Sequence, residues 1–139
     1  MSWACQHCGF DLWVPVATVG VSEVGFYDDG RFPGRCIVAL REHYEHLDEV
    51  PAELRRGFSD DVARVGSVLR ATVDPVRVNY AVLGNTVAHV HCHVIPRPHD
   101  DPVPTRPPWE HPSPRAANVP RTAEALVTAL RAALSTAST

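Results

Sequence analysis

The chain has no long apolar run and no strong excess of either charge. None of its apolar runs approaches the ~18 residues of a transmembrane helix, so we predict no membrane-spanning segment. A net charge of −3 and a pI near 6.2 argue against a surface that coats nucleic acid. The start of the chain, Met1-Ser2-Trp3-Ala4-Cys5, lacks the basic and apolar regions of a secretion signal. We therefore expect a cytoplasmic protein.

The length and the absence of internal repeats indicate one domain. A chain of 139 residues, 45% of them hydrophobic, is long enough to bury a core. We predict a single domain over residues 1–139, with a separate N-terminal segment at 1–10.

Cysteines are few, and in the cytoplasm they are expected to be ligands or buried thiols rather than disulfides. Cys36 and Cys92 occupy apolar strand positions and are predicted to lie in the core. Cys5 and Cys8 have the Cys-x-x-Cys spacing of half a zinc site, which needs two further ligands from elsewhere in the chain. His7, inside the pair, is poorly placed to bind the same metal. The alternative is two free thiols.

Hydrophobic patterns predict strands and two helices without regular βα alternation. Strands are predicted within 14–27 and over 35–40, 76–83 and 88–95. An apolar stripe at helical spacing predicts a helix that begins near Pro51, and a second stripe predicts a last helix after residue 120. Gly66 in the first helix costs about 1 kcal/mol relative to alanine, so it is expected to mark close packing. This order favours the α+β class with an antiparallel sheet.

Proline is concentrated in one segment. Nine of the 13 prolines lie in 96–120. Because proline does not fit the interior of a sheet or helix, we predict an extended arm or a disordered linker there. Val103 and Trp109 would anchor an ordered arm, and we expect residues 100–110 to dock near His91 of the same subunit or of a partner subunit.

Three histidines alternate in the run His89-Val90-His91-Cys92-His93. In a strand they share one face, roughly 6–7 Å apart between neighbours and about 13 Å from first to last. One metal cannot bind all three without distorting the strand. The three histidines are therefore expected to perform at least two different tasks.

The run His89–Ile95 resembles the signature of the histidine triad family, in which three histidines alternate with apolar residues. The likeness extends upstream through Asn79–Val87, downstream through Pro96 and Arg97, and to the loop Asp29–Gly34. The resemblance implies an α+β fold with about five antiparallel strands, a long central helix and a C-terminal helix. It also implies a homodimer and a nucleotide ligand.

The resemblance further implies a structural zinc. Family members with an N-terminal cysteine pair take the other ligands from a histidine after the second long strand and from the first triad histidine. Here the set would be Cys5, Cys8, His43 and His89, with His46 as a less favoured substitute for His43. Such a closed site would tie the N-terminus to the triad.

In the family, the middle histidine attacks the α-phosphate of a nucleotide and forms a covalent intermediate that water hydrolyses. Neutral imidazole is a suitable nucleophile near pH 7. The resemblance assigns this role to His91, and assigns His93 to contacting the phosphate or orienting its neighbours. Asn85 and Thr86 match an amide and a hydroxyl position near the phosphate. Their alternative role is ordinary turn chemistry.

Four further residues are candidates for substrate binding. Asp29 matches a position that reaches the ribose hydroxyls, with Asp28 as its rival and a turn role open to both. Phe32 lines the base pocket or belongs to the core. Arg97 pairs with phosphate or is a solvated charge at a strand end. Trp109 stacks on a base or anchors the arm to its own domain.

The leading hypothesis is a hydrolase or transferase acting on a dinucleoside polyphosphate or a nucleoside phosphoramidate. A second hypothesis is a catalytically silent nucleotide-binding or scaffold protein. A third is an open, catalytic zinc site built on His89 and His91.

Overall fold

The computed structural model describes residues 3–136, so Met1 and Ser2 of the N-terminal segment and the last three residues lie outside it. The elements are β1 (Pro15–Val19), β2 (Ser22–Phe26), β3 (Cys36–Leu40), α1 (Ala52–Val73), β4 (Arg77–Ala81), β5 (His91–Arg97) and α2 (Pro120–Thr136). Two short 3₁₀ helices span Leu47–Glu49 and Pro108–Glu110. All neighbouring strands pair antiparallel in the order β1-β2-β3-β5-β4. The predicted α+β class is confirmed.

The helices cover one face of the sheet. Helix α1 packs on β3, β4 and β5, and α2 packs on α1 and β1. Phe58, Val65 and Leu69 of α1 are buried, as its apolar stripe predicts. Gly66 lies against Tyr80, whose hydroxyl would overlap any Cβ at that position. The glycine therefore permits close packing of α1 on β4. No helix in residues 3–136 is both long enough and apolar enough to cross a membrane.

The register of β3 with β5 places alternate residues in the core and on the face that carries the histidines. Cys36 pairs with Val94 and Val38 with Cys92, and all four side chains are in the core beneath the helices. The prediction that both of these cysteines are core residues is confirmed. The alternate pairs, Ile37 with His93 and Ala39 with His91, direct their side chains to the opposite face.

The triad strand begins later than predicted. Strand β5 starts at His91 rather than residue 88, and it ends at Arg97 rather than residue 95. The first pair between β5 and β3 is His91 with Ala39. Only one residue of β3, Leu40, lies beyond that pair. His89 therefore lies outside the strand, and its backbone N–H donates to the carbonyl of Val87 in a turn. The prediction that the triad strand includes His89 was wrong.

The prediction that the proline-rich segment cannot join a sheet was wrong for Pro96. This residue lies inside β5 opposite Val78. The carbonyls of Val90 and Arg97 point towards β3 and β4 respectively, so the alternation along β5 directs the nitrogen of Pro96 to the β3 side. On that side β3 begins only at Cys36, opposite Val94, so no residue of β3 lies opposite Pro96 and no ladder bond is lost. Pro120 likewise occupies the first position of α2, where its missing N–H is not needed.

Arg97 holds the remaining arm, residues 98–119, on the domain. Its Nε lies 2.5 Å from a carboxylate oxygen of Asp101, and its Nη atoms donate to the side-chain oxygen of Asn79 and to the carbonyls of Val103 and Arg106. Arg97 is only 3% exposed. It is therefore neither a free phosphate ligand nor a solvated strand-end charge, which corrects both interpretations of its role.

Candidate functional site

Four ligand atoms converge where the N-terminal segment meets the end of β3 and the start of β5. The metal-binding atoms of Cys5, Cys8, His43 and His89 all lie within 4.8 Å of one another. Cys5 Sγ lies 3.7 Å from His43 Nδ1, Cys8 Sγ lies 3.5 Å from His89 Nδ1, and the two Nδ1 atoms are 3.2 Å apart. The structure thus assembles the four residues expected to bind zinc.

These separations fit a zinc tetrahedron. Bonds of about 2.3 Å to sulfur and about 2.05 Å to nitrogen give edges of about 3.6 Å between sulfur and nitrogen and about 3.3 Å between nitrogens. His89 Nε2 donates to the carbonyl of Leu40 at 2.6 Å, which leaves its Nδ1 lone pair facing the cluster. Burial also lowers the pKa of His89 and favours its neutral form. The donor set and the tautomer both suit zinc.

A tight turn places the two cysteines. The N–H of Cys5 donates to the carbonyl of Phe10, the N–H of Gly9 donates to the carbonyl of Cys5, and Gly9 has a φ of 77° that favours glycine. His7 points its ring onto that of His43 at 4.1 Å and is outside the ligand set. His46, the substitute considered for His43, is also outside it.

A cavity of about 340 Å³ lies beside this cluster, on the sheet face opposite the helices. Its lining contains His91, His93, Asn85 and Thr86, which are the four residues predicted to be catalytic. The remaining wall is mainly apolar and includes Phe10, Trp13, Tyr27, Ile37 and Leu83. An apolar cleft with a few convergent polar groups is typical of a small-molecule site.

One hydrogen bond sets the tautomer of His91. Its Nδ1 lies 2.6 Å from the carbonyl oxygen of His89, and a carbonyl only accepts, so Nδ1 carries the proton. The unprotonated nitrogen of the neutral ring is then Nε2. The ring of Phe10 lies 5.1 Å from that of His91 and 5.3 Å from that of His89, and holds both in place. His91 is 7% exposed and is not a metal ligand in this arrangement.

His93 is held neutral. Burial, followed by the charges of Arg35 and His91, lowers the pKa of His93 to about 4. Its ring lies 5.3 Å from that of His91 and 5.6 Å from that of Tyr27. His93 therefore enters the cavity as a neutral imidazole beside the ring of His91.

The profile of the HIT domain matches residues 26–100, slightly more than half of the chain. The chain belongs to the HIT, or histidine triad, family. An uncharacterized HIT-like protein of Methanocaldococcus jannaschii is 35% identical over 71 residues, covering 48% of this chain and 55% of that protein. The chain thus spans about half the length of the curated relative it matches.

Solved structures agree in fold. A histidine triad protein from Bradyrhizobium japonicum has a TM-score of 0.77 at 22% identity, over 86% of this chain and 88% of that one. A zinc-bound histidine triad protein from Mycobacterium smegmatis has a TM-score of 0.65 at 21% identity, over 88% and 84%. A diadenosine triphosphate hydrolase from Plasmodium falciparum has a TM-score of 0.70 at 13% identity, over 99% of this chain and 87% of that one. These likenesses establish the HIT fold.

The structure places two predicted substrate-binding residues away from the cavity of this HIT protein. Asp29 is fully buried and pairs with Arg31 and Arg35, each at 2.9 Å. Burial opposes its ionisation, but hydrogen bonds and charge from the two arginines hold the pKa of Asp29 below its ordinary value. Phe32 is also fully buried, and it belongs to the interior rather than to a base pocket.

The arm brings Trp109 close to the site. Pro108 and Trp109 line a second cavity of about 210 Å³, which shares Tyr27, Leu83 and His93 with the first. Trp109 is 65% exposed, so its ring remains available to a ligand. The arm of the same chain thus reaches the neighbourhood of His93.

Three residues near the histidines were missed by the sequence analysis. Phe10 contacts two triad rings, Tyr27 contacts the third, and Arg35 donates to His93 Nδ1 at 3.0 Å. Phe10 had a usable signal, because it follows Cys8 by two residues and must lie near the metal cluster. Tyr27 and Arg35 lie near strand ends, and nothing in the local pattern marks them.

Proposed function

We propose that this protein is a nucleotidyl hydrolase or transferase that acts through a covalent nucleotidyl-histidine on His91. The observation that carries the proposal is the bond from His91 Nδ1 to the carbonyl of His89, which leaves a neutral Nε2 as nucleophile in a ligand-sized cavity. The fold shared with a diadenosine triphosphate hydrolase supports the substrate class.

The reaction has two steps. Nε2 of His91 attacks the α-phosphorus, and the bond from phosphorus to the leaving oxygen or nitrogen breaks as the leaving group gains a proton. Water then attacks the same phosphorus and loses a proton to solvent, the bond from phosphorus to Nε2 breaks, and a nucleoside monophosphate is released; this proton balances the one that the leaving group takes from solvent in the first step. In a transferase, another nucleophile replaces the water. Asn85, Thr86 and His93 line the cavity and are proposed to donate hydrogen bonds to the phosphate.

Zinc is proposed to be structural. Bound by Cys5, Cys8, His43 and His89, it would have four protein ligands and no open coordination position, so it would brace the site rather than activate a water. The hypothesis of a catalytic zinc on His89 and His91 is disfavoured, because His91 is outside the cluster. Zinc would instead hold the backbone of His89, whose carbonyl orients His91.

Trapping the intermediate tests this proposal. The protein is mixed with a dinucleoside polyphosphate, a nucleoside phosphoramidate or the phosphorothioate analogue of either, and is quenched in alkali, where a phosphorus–nitrogen bond survives. We expect one nucleotidyl group per chain, located by mass spectrometry on the peptide that contains His91. Binding without adduct or turnover in either substrate class would favour the silent binding protein.

Trp109 is proposed to bind the base or leaving group. Trp109→Ala is expected to raise KM about tenfold on an aromatic substrate with little change in kcat, since the ring touches a part of the substrate remote from the phosphorus. Val119→Ala is the control, because Val119 is an exposed apolar residue of the same arm that lines neither cavity, and its KM and kcat should be unchanged. Equal kinetics for wild type and Trp109→Ala on every substrate would reduce the arm to a structural brace.

We further propose that the protein is a single domain that forms a homodimer in the cytoplasm. Strand β4 is an edge strand, and it and the residues around it expose Val76, Tyr80, Val82 and Leu83. An apolar sheet edge favours association with another copy. Light scattering is expected to give twice the monomer mass, and a monomer at micromolar concentration would exclude the dimer.

A further inference from the structure

Arg35 contacts the third triad histidine, and Asp29 holds it there. Arg35 Nη2 lies 3.0 Å from His93 Nδ1, and Arg35 Nη1 lies 2.9 Å from a carboxylate oxygen of Asp29. A guanidinium has only donors, so His93 Nδ1 accepts and the proton of the neutral ring is on Nε2. We propose that Arg35 is a positioning residue, anchored by Asp29, that fixes His93 as a neutral imidazole whose Nε2–H donates to the phosphate or leaving group.

Local structure explains why Arg35 reaches this ring. Ile37 pairs with His93 across β3 and β5, and Arg35 precedes Ile37 by two residues, on the same face of the sheet. The guanidinium carbon lies 4.1 Å from the centre of the Tyr27 ring, and the Arg35 side chain is only 12% exposed. Asp29 is fully buried and bonds the other side of the guanidinium. Arg35 is thus held from two sides before any substrate binds.

The charged groups around His93 favour the same neutral tautomer. The titratable and charged groups that face its ring are Arg35, His91 and Tyr27. Protonating His93 Nδ1 would remove the acceptor of the Arg35 bond and place two cations 3.0 Å apart. Burial and Arg35 accordingly lower the pKa of His93 to about 4. At neutral pH the ring remains a donor of fixed direction.

The tautomer is measurable without turnover, although the reaction role of Arg35 rests on the proposed function. Nitrogen-15 NMR of the full-length protein is expected to show His93 with Nδ1 bare and Nε2 protonated at pH 7, titrating well below the ordinary histidine value of about 6.5. Arg35→Met should give a mixture of His93 tautomers and raise the midpoint of the His93 titration by about 1 to 2 pH units. The midpoint in Arg35→Lys should lie between those of the wild type and Arg35→Met. Arg31→Met is the matched control, since Arg31 also pairs with Asp29 but donates nothing to His93.

Kinetics then separate positioning from folding. On any substrate that the wild type turns over, Arg35→Met is expected to lower kcat at least tenfold at similar KM and to move the acid limb of the pH profile upward, and Arg35→Lys should recover part of the loss. His93 protonated on Nδ1 in the wild type, or an unchanged kcat and pH profile in Arg35→Met, would overturn the proposal. If no substrate is turned over, the proposed function fails while the tautomer still decides whether Arg35 sets the state of His93.

Discussion

Replacing His91 by alanine is expected to abolish turnover and leave the fold intact. The bond from His91 Nδ1 to the His89 carbonyl leaves Nε2 as the nitrogen placed to attack, beside a cavity of about 340 Å³, and no other imidazole that lines this cavity bonds that carbonyl. Removing a nucleophile lowers kcat by about 10³-fold or more. The variant loses ring contacts with Phe10 and His93 and the donor to the His89 carbonyl, so the free energy of unfolding should fall by about 1 to 3 kcal/mol. Steady-state kinetics and thermal denaturation measure both effects.

His99→Ala is the control for this substitution. His99 is exposed and hydrogen-bonds only the backbone carbonyl of Asp74, away from the cavity. It should have normal kcat and KM. A near-normal kcat in the His91→Ala variant would show that His91 is not the nucleophile.

Replacing Cys8 by serine is expected to lower stability strongly although the side chain is exposed. Cys8 Sγ and His89 Nδ1 are 3.5 Å apart in a cluster that fits zinc, and metal-binding energy is folding energy when the site is absent from the unfolded chain. We expect about one zinc per chain in the wild type and much less in Cys8→Ser. Its free energy of unfolding should fall by about 3 kcal/mol, or roughly 10 °C in Tm.

His7→Asn tests whether the loss comes from the metal. His7 lies between the two cysteines and stacks on His43, but it is not among the four converging residues. This variant should retain its zinc and most of its stability. Metal analysis and thermal scans with and without chelator would make the measurement. If the wild type contains no zinc and has the same Tm with and without chelator, the protein has no structural zinc site.

Both results depend on His89, which links the two sites. Its imidazole faces the cysteines, while its backbone carbonyl accepts from His91. His89 lies just before β5, outside its ladder with β3, so its carbonyl is not taken by a ladder bond and accepts from His91. Loss of zinc should therefore lower kcat as well, through a displaced carbonyl and not through lost metal chemistry.

The sequence by itself determined the class of fold and the two sets of residues expected to do chemistry. The α+β class follows from hydrophobic periods that are local to each element. The pair Cys5 and Cys8 and the alternation of His91 and His93 are encoded in short spacings. The completion of the zinc set by His43 and His89 came from family resemblance, and the structure brings these four residues together.

Only the tertiary structure decided the roles of the charged residues. Asp29 and Arg97 are suited to ribose and phosphate by their chemistry, yet both are buried in pairs with arginine or aspartate. The sequence indicates only that Arg35 begins a strand, whereas in the structure it donates to a histidine 58 positions later. The physical reason is that a buried charged side chain must be paired, and its role depends on the partners that folding places beside it. Those partners are often distant in sequence. The place of Pro96 also depends on tertiary structure. Its missing N–H costs no hydrogen bond only because β3 does not extend past Cys36 to lie opposite it.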